Sequence, residues 1–389
     1  MGGRAARTGT GTTGDGPGLL KRDRPRLPRP DDGGGDPVRI LTLGGGSGQF
    51  ALLAGLRDLP GIEITAVVSM VDSGGSTGRL RDEFGILPPG DILKCIVALS
   101  PHREMARTLL LKRFVEDRRL KGHNAGNMLL TMLSRYAGSF ASGVQALAEI
   151  LDVRGRILPV TVDPATLVAE LTDGSRVFGE KAIDVPRGMQ REKIREVFLV
   201  PHHNEAVSVY PPVIDAAWWA DYILIGPGDL FTSILAALIV PGVAEALRRS
   251  RGRILYILNL MTKFGETDRF RARDFVERLE AALGRTVDGV IANRRRPPEA
   301  VLRAYRKQKA DFVELDPGEA FWKDRRLYAG DLLDTAGGIV RHDSAKLAAL
   351  IGGIIAADRN APAPPPTGPD AGRRTRCASA RRPSRRTAK

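Results

Sequence analysis

Apolar and polar positions follow two rhythms along this chain. Short β-branched runs, VRILTL (38–43), IEITAVVSM (62–70), DYILIG (221–226), RILYILNL (253–260) and DGVIAN (288–293), read as buried strands. Between them lie stretches with helical spacing. The first runs from about Gln49 to Asp58, with Leu52, Leu53 and Leu56 on one side, and others cover about 230–249, 270–283 and 298–307. This alternation predicts an α/β chain with a mostly parallel sheet and helices on both faces. Two regions break the rhythm. Residues 91–151 read as a helical segment. Residues 153–200 read as a small β-rich insertion (RILPV, LVAELTDGSRVFGEKAI with a turn at Asp173-Gly174, and IREVFLV).

Composition sets the boundaries. Residues 1–36 and 359–389 are rich in Gly, Pro, Arg and Ser and are expected to be disordered, leaving a folded unit over 37–358. The net charge of +14 invites a nucleic-acid reading, but its distribution does not support one. The tail after residue 358 holds nine Lys/Arg against one acid, so its weak contact with polyanions is an accessory expectation beside that of a solvated extension. No apolar run approaches the ~20 residues of a membrane span, and no secretory leader is visible. The two cysteines, Cys95 and Cys377, form neither a disulfide framework nor a zinc pattern. A cytoplasmic location without membrane insertion is the expectation.

In a parallel sheet the strands end at one edge, and ligands bind where strand order reverses. The loops at the strand ends therefore hold the candidate chemistry. GGGSG (44–48) comes after the first strand, VDSGGSTGRLR (71–81) after the second, GPGDLFTS (226–233) after the 221–226 strand and MTKFGETD (261–268) after the 253–260 strand. Three of these are glycine loops with hydroxyls or carboxylates that open a helix. Gly44, Gly45, Gly46, Ser47 and Gly48 at a helix start would offer backbone N–H groups and a favourable dipole to a phosphate. No lysine comes after the glycines, which excludes the Walker arrangement; Gly46-x-Gly48-x-x-Ala51 fits the loose dinucleotide pattern. A tight turn without ligand is the alternative.

Asp72 lies just past the second strand and runs into Ser73, Gly74, Gly75 and Ser76, then Arg79 and Arg81. An acid in such a loop fits phosphate or Mg²⁺ handling, or an Asx turn. Asp91 in PPGD reads as a helix N-cap. Asn124 and Asn127, three apart, would share a helix face and either hold a base or sugar or serve structural hydrogen bonds. His123 has no second ligand at metal spacing. His202 and His203 are neighbours on opposite strand faces and read as structural. Gly226, Pro227, Gly228 and Asp229 put N–H groups at another helix start, and Thr232 and Ser233 add hydroxyls. Asp343 reads as the cap of the last helix.

LGGGSG, VDSGGSTGRLRDEFGILPPGDILKCIVALS, GHNAGN, LDVRGRILPV, IGPGDLFTSI, NLMTKFGETD and RHDSAKLA, in this order, resemble the bacterial gluconeogenesis-factor family (YvcK-like), which is related to the 2-phospho-L-lactate transferase CofD. The likeness covers about Val38 to Ile355. It implies a Rossmann-like three-layer α/β/α sandwich. It also implies either a UDP-sugar-binding regulator linked to carbon metabolism and cell shape, or a transferase that moves a phospho-linked group from a nucleotide diphosphate. Asp72 would then be the catalytic or Mg²⁺-binding acid, with Ser73 where the family usually has a second acid. The family's Gly-Pro-Gly-Ser becomes Gly226-Pro227-Gly228-Asp229, and its Thr-Gln-Pro-Gly becomes Thr262-Lys263-Phe264-Gly265.

The expected nucleotide contacts are thus Gly44 to Gly48, Ser73 to Ser76, Asn124, Asn127, Gly226 to Asp229, Thr232, Ser233 and Asn259. The ligand is left open among a UDP-sugar, GDP and NAD, the last implying an oxidoreductase that rests on the loose glycine pattern alone. A homodimer is the expected assembly.

Overall fold

The computed structural model describes residues 36–71, 87–116, 120–186, 191–202 and 206–360. In chain order its longer strands are β1 (Val38–Gly44), β2 (Ile62–Val68), β3 (Arg156–Pro159), β4 (Ala165–Leu171), β5 (Arg176–Phe178), β6 (Ile194–Pro201), β7 (Tyr222–Ile225), β8 (Arg253–Ile257), β9 (Gly289–Asn293) and β10 (Arg326–Gly330). The principal helices are α1 (Gly46–Leu56), α2 (Gly90–Leu99), α3 (Ala125–Tyr136), α4 (Phe140–Ile150), α5 (Glu180–Asp184), α6 (Pro211–Trp219), α7 (Val243–Arg249), α8 (Ala272–Leu283), α9 (Glu299–Lys307) and α10 (Ser344–Asn360).

Seven strands form one sheet in the order β10-β9-β8-β7-β1-β2-β3, and every pairing in it is parallel. The apolar runs explain this placement. Ile40, Leu41, Leu43, Ile223, Leu224 and Ile225 are all buried, as strands covered on both faces require. From β1 the chain builds outward through β2 and β3, then restarts at β7 and builds the other way. Right-handed crossovers in opposite directions put helices on opposite faces. Accordingly, α1 lies against α2 and α10, while α7 lies against α6 and α8. The result is the α/β/α sandwich, wholly parallel rather than mostly so.

The strand order reverses between β1 and β7. Their ends are level, with Leu43 opposite Ile225 on one side and Gly44 opposite Val68 of β2 on the other. The loops after β1 and β7 therefore open side by side at the switch point.

Three expectations need correction. RILPV is not part of the β-rich insertion, because β3 pairs with β2 in the main sheet. Only β4, β5 and β6 form the small antiparallel sheet, with the turn at Asp173-Gly174 between β4 and β5. The helix expected over 230–249 is broken: a π-helical segment, Leu230–Leu235, and a single α turn precede a stop at Pro241-Gly242, where Gly242 takes φ +98°. β10 lies outside every predicted strand. It is an edge strand with no fully buried position, exposed at Arg326 and Ala329 and half-buried between them, so its apolar signal is thin. Among the described residues no single helix is long and apolar enough to cross a membrane.

Candidate functional site

The glycines after β1 have separate causes. Gly46 takes φ +67° with open space around it, so its backbone conformation requires glycine. Gly48 has no such φ, but a Cβ there would stand 2.3 Å from the carbonyl oxygen of Pro227. A Cβ at Gly45 would lie 2.7 Å from Asp91 Oδ2. The side chains are thus excluded first by the protein itself: the β1 and β7 loops touch backbone to backbone, and Asp91 reaches in from α2.

Asp91 does not cap its own helix as expected. Pro89 holds the cap position, and Asp91 Oδ2 instead accepts the N–H of Gly46 at 2.8 Å, across 45 residues of sequence. Its other oxygen accepts from Lys94 Nζ at 2.8 Å. The first N–H of α1 is therefore taken by a carboxylate, whose charge Lys94 offsets. The next N–H groups, of Ser47 and Gly48, have no acceptor within their own helix, and Ser47 is exposed. Beneath this turn, Gln49 is fully buried and donates to Thr42 Oγ1 and the Val67 carbonyl. Gln49 Oε1 and Ser69 Oγ are buried without a hydrogen bond. Polar atoms left so under a glycine loop are open to a polar partner.

On the facing wall Asn259 Nδ2 donates to the Gly228 carbonyl at 2.8 Å, while Asn259 Oδ1 accepts from Tyr256. Asn259 thus shapes the 226–229 loop. Asp229 caps the π-helical segment with its carbonyl, which accepts from Ser233 and Ile234. Thr232 is buried beneath it and Ser233 half-buried, against Gly228.

A second constellation lies beside this wall. Asp229 Oδ2 accepts from Lys263 Nζ at 2.7 Å. The same ammonium donates to Asp184, at the end of α5, and stands 3.3 Å from Glu266 Oε1. Burial works to lower the Lys263 pKa, but Glu266, Asp229 and Asp184 outweigh it and hold it above the usual lysine range. Burial pushes the Glu266 carboxyl up to about 7, against the opposing pull of Lys263. Gly265, at φ +79°, and the N–H of Lys263 on Thr267 Oγ1 keep this loop tight.

The other expected residues have local partners of their own. Asn124 caps α3 by accepting the N–H of Asn127 at 2.7 Å, and both residues are buried. Their helix packs Gly126 against Leu93 of α2, the helix that also carries Asp91. Asp343 caps α10 through the N–H groups of Ala345 and Lys346. His202 meets Thr166 Oγ1 at 2.8 Å within the small sheet. Asp72, Ser73, Gly74, Gly75, Ser76 and His203 lie outside the described residues. Sequence reasoning missed Gln49 and Ser69, and it gave no role to Asp184, Lys263 or Glu266. The usable signal was the joint departure of Asp229 and Lys263 from the family pattern.

Comparison with known proteins agrees with the fold. The family model described as 2-phospho-L-lactate transferase CofD matches residues 40–333. A putative gluconeogenesis factor of Thermotoga maritima is 40% identical over 319 residues, covering 81% of this chain and 98% of that one. The gluconeogenesis factor of Bacillus subtilis is 36% identical over 318 residues, covering 82% and 98%. An X-ray structure of a Bacillus halodurans protein superposes with a TM-score of 0.76 at 34% identity, over 81% of this chain and 100% of that one. By these likenesses the chain belongs to the gluconeogenesis-factor family, within the wider CofD group.

Proposed function

We propose that this protein binds a nucleotide diphosphate, with a UDP-sugar as the leading candidate, at the strand-end edge where the loops after β1 and β7 meet. The observation that carries the reading is the pairing of two glycine loops at the switch point. There the N–H groups of Ser47 and Gly48 open a helix beside Gly228, and Gln49 Oε1 and Ser69 Oγ lie without partners beneath. The protein would act as a binding regulator in carbon metabolism and cell shape, as the family resemblance implies. The names of its relatives support the first of these. Extraction of the natively purified protein and mass analysis of the released ligand would test this. A uridine nucleotide is expected, and an empty protein that also fails to take one up contradicts it.

A second reading is transfer of a phospho-linked group from a nucleotide diphosphate donor, as the description of the matched family suggests. It calls for Mg²⁺-dependent turnover that Asp72→Asn abolishes. Binding without turnover favours the regulator.

A further inference from the structure

We propose that Lys263 is a tethered cation filling a carboxylate site built for positive charge, so that this triad of acids holds together without a divalent metal. Asp184, Asp229 and Glu266 come from three chain segments, yet each brings an oxygen within 4.8 Å of the others. Three oxygens so close together have the spacing of a cation's ligands, and oxygen ligands of this kind suit Mg²⁺ or Ca²⁺. The lysine occupies that place. Its ammonium has three donors and three carboxylates around it: it bonds Asp184 and Asp229 and faces Glu266.

A second observation shows that the site is built for charge. Glu266 is 3% exposed, and neither of its oxygens makes a hydrogen bond. A buried carboxyl without a hydrogen-bond partner is costly unless a cation stands beside it. Among the described residues, Lys263 is the cation within ion-pair distance of Glu266.

The arrangement ties separate parts of the fold together. Asp184 belongs to the small-sheet region, whose α5 packs on the π-helical segment after β7. Lys263 therefore joins the small sheet, the 226–229 loop and the loop after β8 at one atom. The proposal does not depend on which ligand the protein binds, so its test stands apart from that of the proposed function.

The test uses the full chain with Mn²⁺ as the probe, read by electron paramagnetic resonance and thermal melting. Lys263→Met is expected to melt lower than wild type without metal, to recover with Mn²⁺, and to bind Mn²⁺ about tenfold or more tighter than wild type does. Adding Asp229→Asn to that variant should abolish the gain. The proposal is overturned if folded Lys263→Met gains no Mn²⁺ affinity. It is equally overturned if wild type already binds Mn²⁺ in a manner lost with Asp184→Asn or Asp229→Asn. Should Lys263→Met not fold, Lys263→Gln, a polar side chain of similar reach, takes its place. Failure of both to fold even with Mn²⁺ present also counts against the proposal, because the metal is predicted to restore them.

Discussion

Replacing Gly48 by alanine separates the two causes of the glycine loop. The added Cβ would stand 2.3 Å from the oxygen and 2.7 Å from the carbon of Pro227, both backbone atoms that cannot rotate away. Carbon–oxygen contacts begin at about 3.3 Å, so the β1 and β7 loops must part by about 1 Å. Overpacking of this sort costs about 1–3 kcal/mol of stability. Gly46→Ala is the control. It meets nothing in space, but its φ of +67° costs an L residue roughly 1–2 kcal/mol. Both variants should therefore melt lower by a similar amount. Only Gly48→Ala pushes the two loops apart, and loss of one or two hydrogen bonds to the ligand, each worth about 1 kcal/mol, weakens nucleotide binding about fivefold to thirtyfold. Thermal melting and calorimetric titration, run side by side, read the two effects. Gly48→Ala that melts like wild type would refute the claimed contact. Equal losses of affinity in both variants would refute the division of roles.

Other contacts set further expectations. The Glu266 carboxyl rises from 4.5 to about 7 on folding, so the folded chain holds its proton more tightly than the unfolded chain does. The stability this supplies is complete below about pH 4.5 and lost as the pH rises to about 7. Over that window wild type should lose stability relative to Glu266→Gln, measured by denaturant unfolding at a series of pH values; parallel curves would contradict the assignment. Asp91→Asn keeps an acceptor for the Gly46 N–H but removes a negative charge from the helix start and releases Lys94. Affinity for a diphosphate should rise several-fold at low salt and less at high salt. Weaker binding at both would show that the Asp91 charge does not face the ligand.

The central strands were legible because parallel strands covered on both faces must be apolar throughout, and β1, β2, β7, β8 and β9 all carry that signature. Edge strand β10 needs far less apolar surface and left little trace. The break at Pro241-Gly242 was hidden by the uninterrupted apolar run ILAALIV before it, whose burial serves either a whole or a broken helix. The site was legible in part. Glycine loops after strands are local and announce the switch point. The contacts that fix those loops are distant in sequence: Asp91 on Gly46, Pro227 on Gly48, and Asp184 with Asp229 and Glu266 around Lys263. No periodicity encodes such meetings. Only the paired replacement of Ser and Gln by Asp229 and Lys263 hinted that one charge answers another.

The most direct test of nucleotide binding is a calorimetric titration of the full chain with a UDP-sugar, GDP and NAD, each with and without Mg²⁺. Such binding should show one site per chain, preference for a diphosphate, and affinity lowered by Gly48→Ala. Heats that are absent for all three ligands, or indifferent to Gly48→Ala, would contradict it.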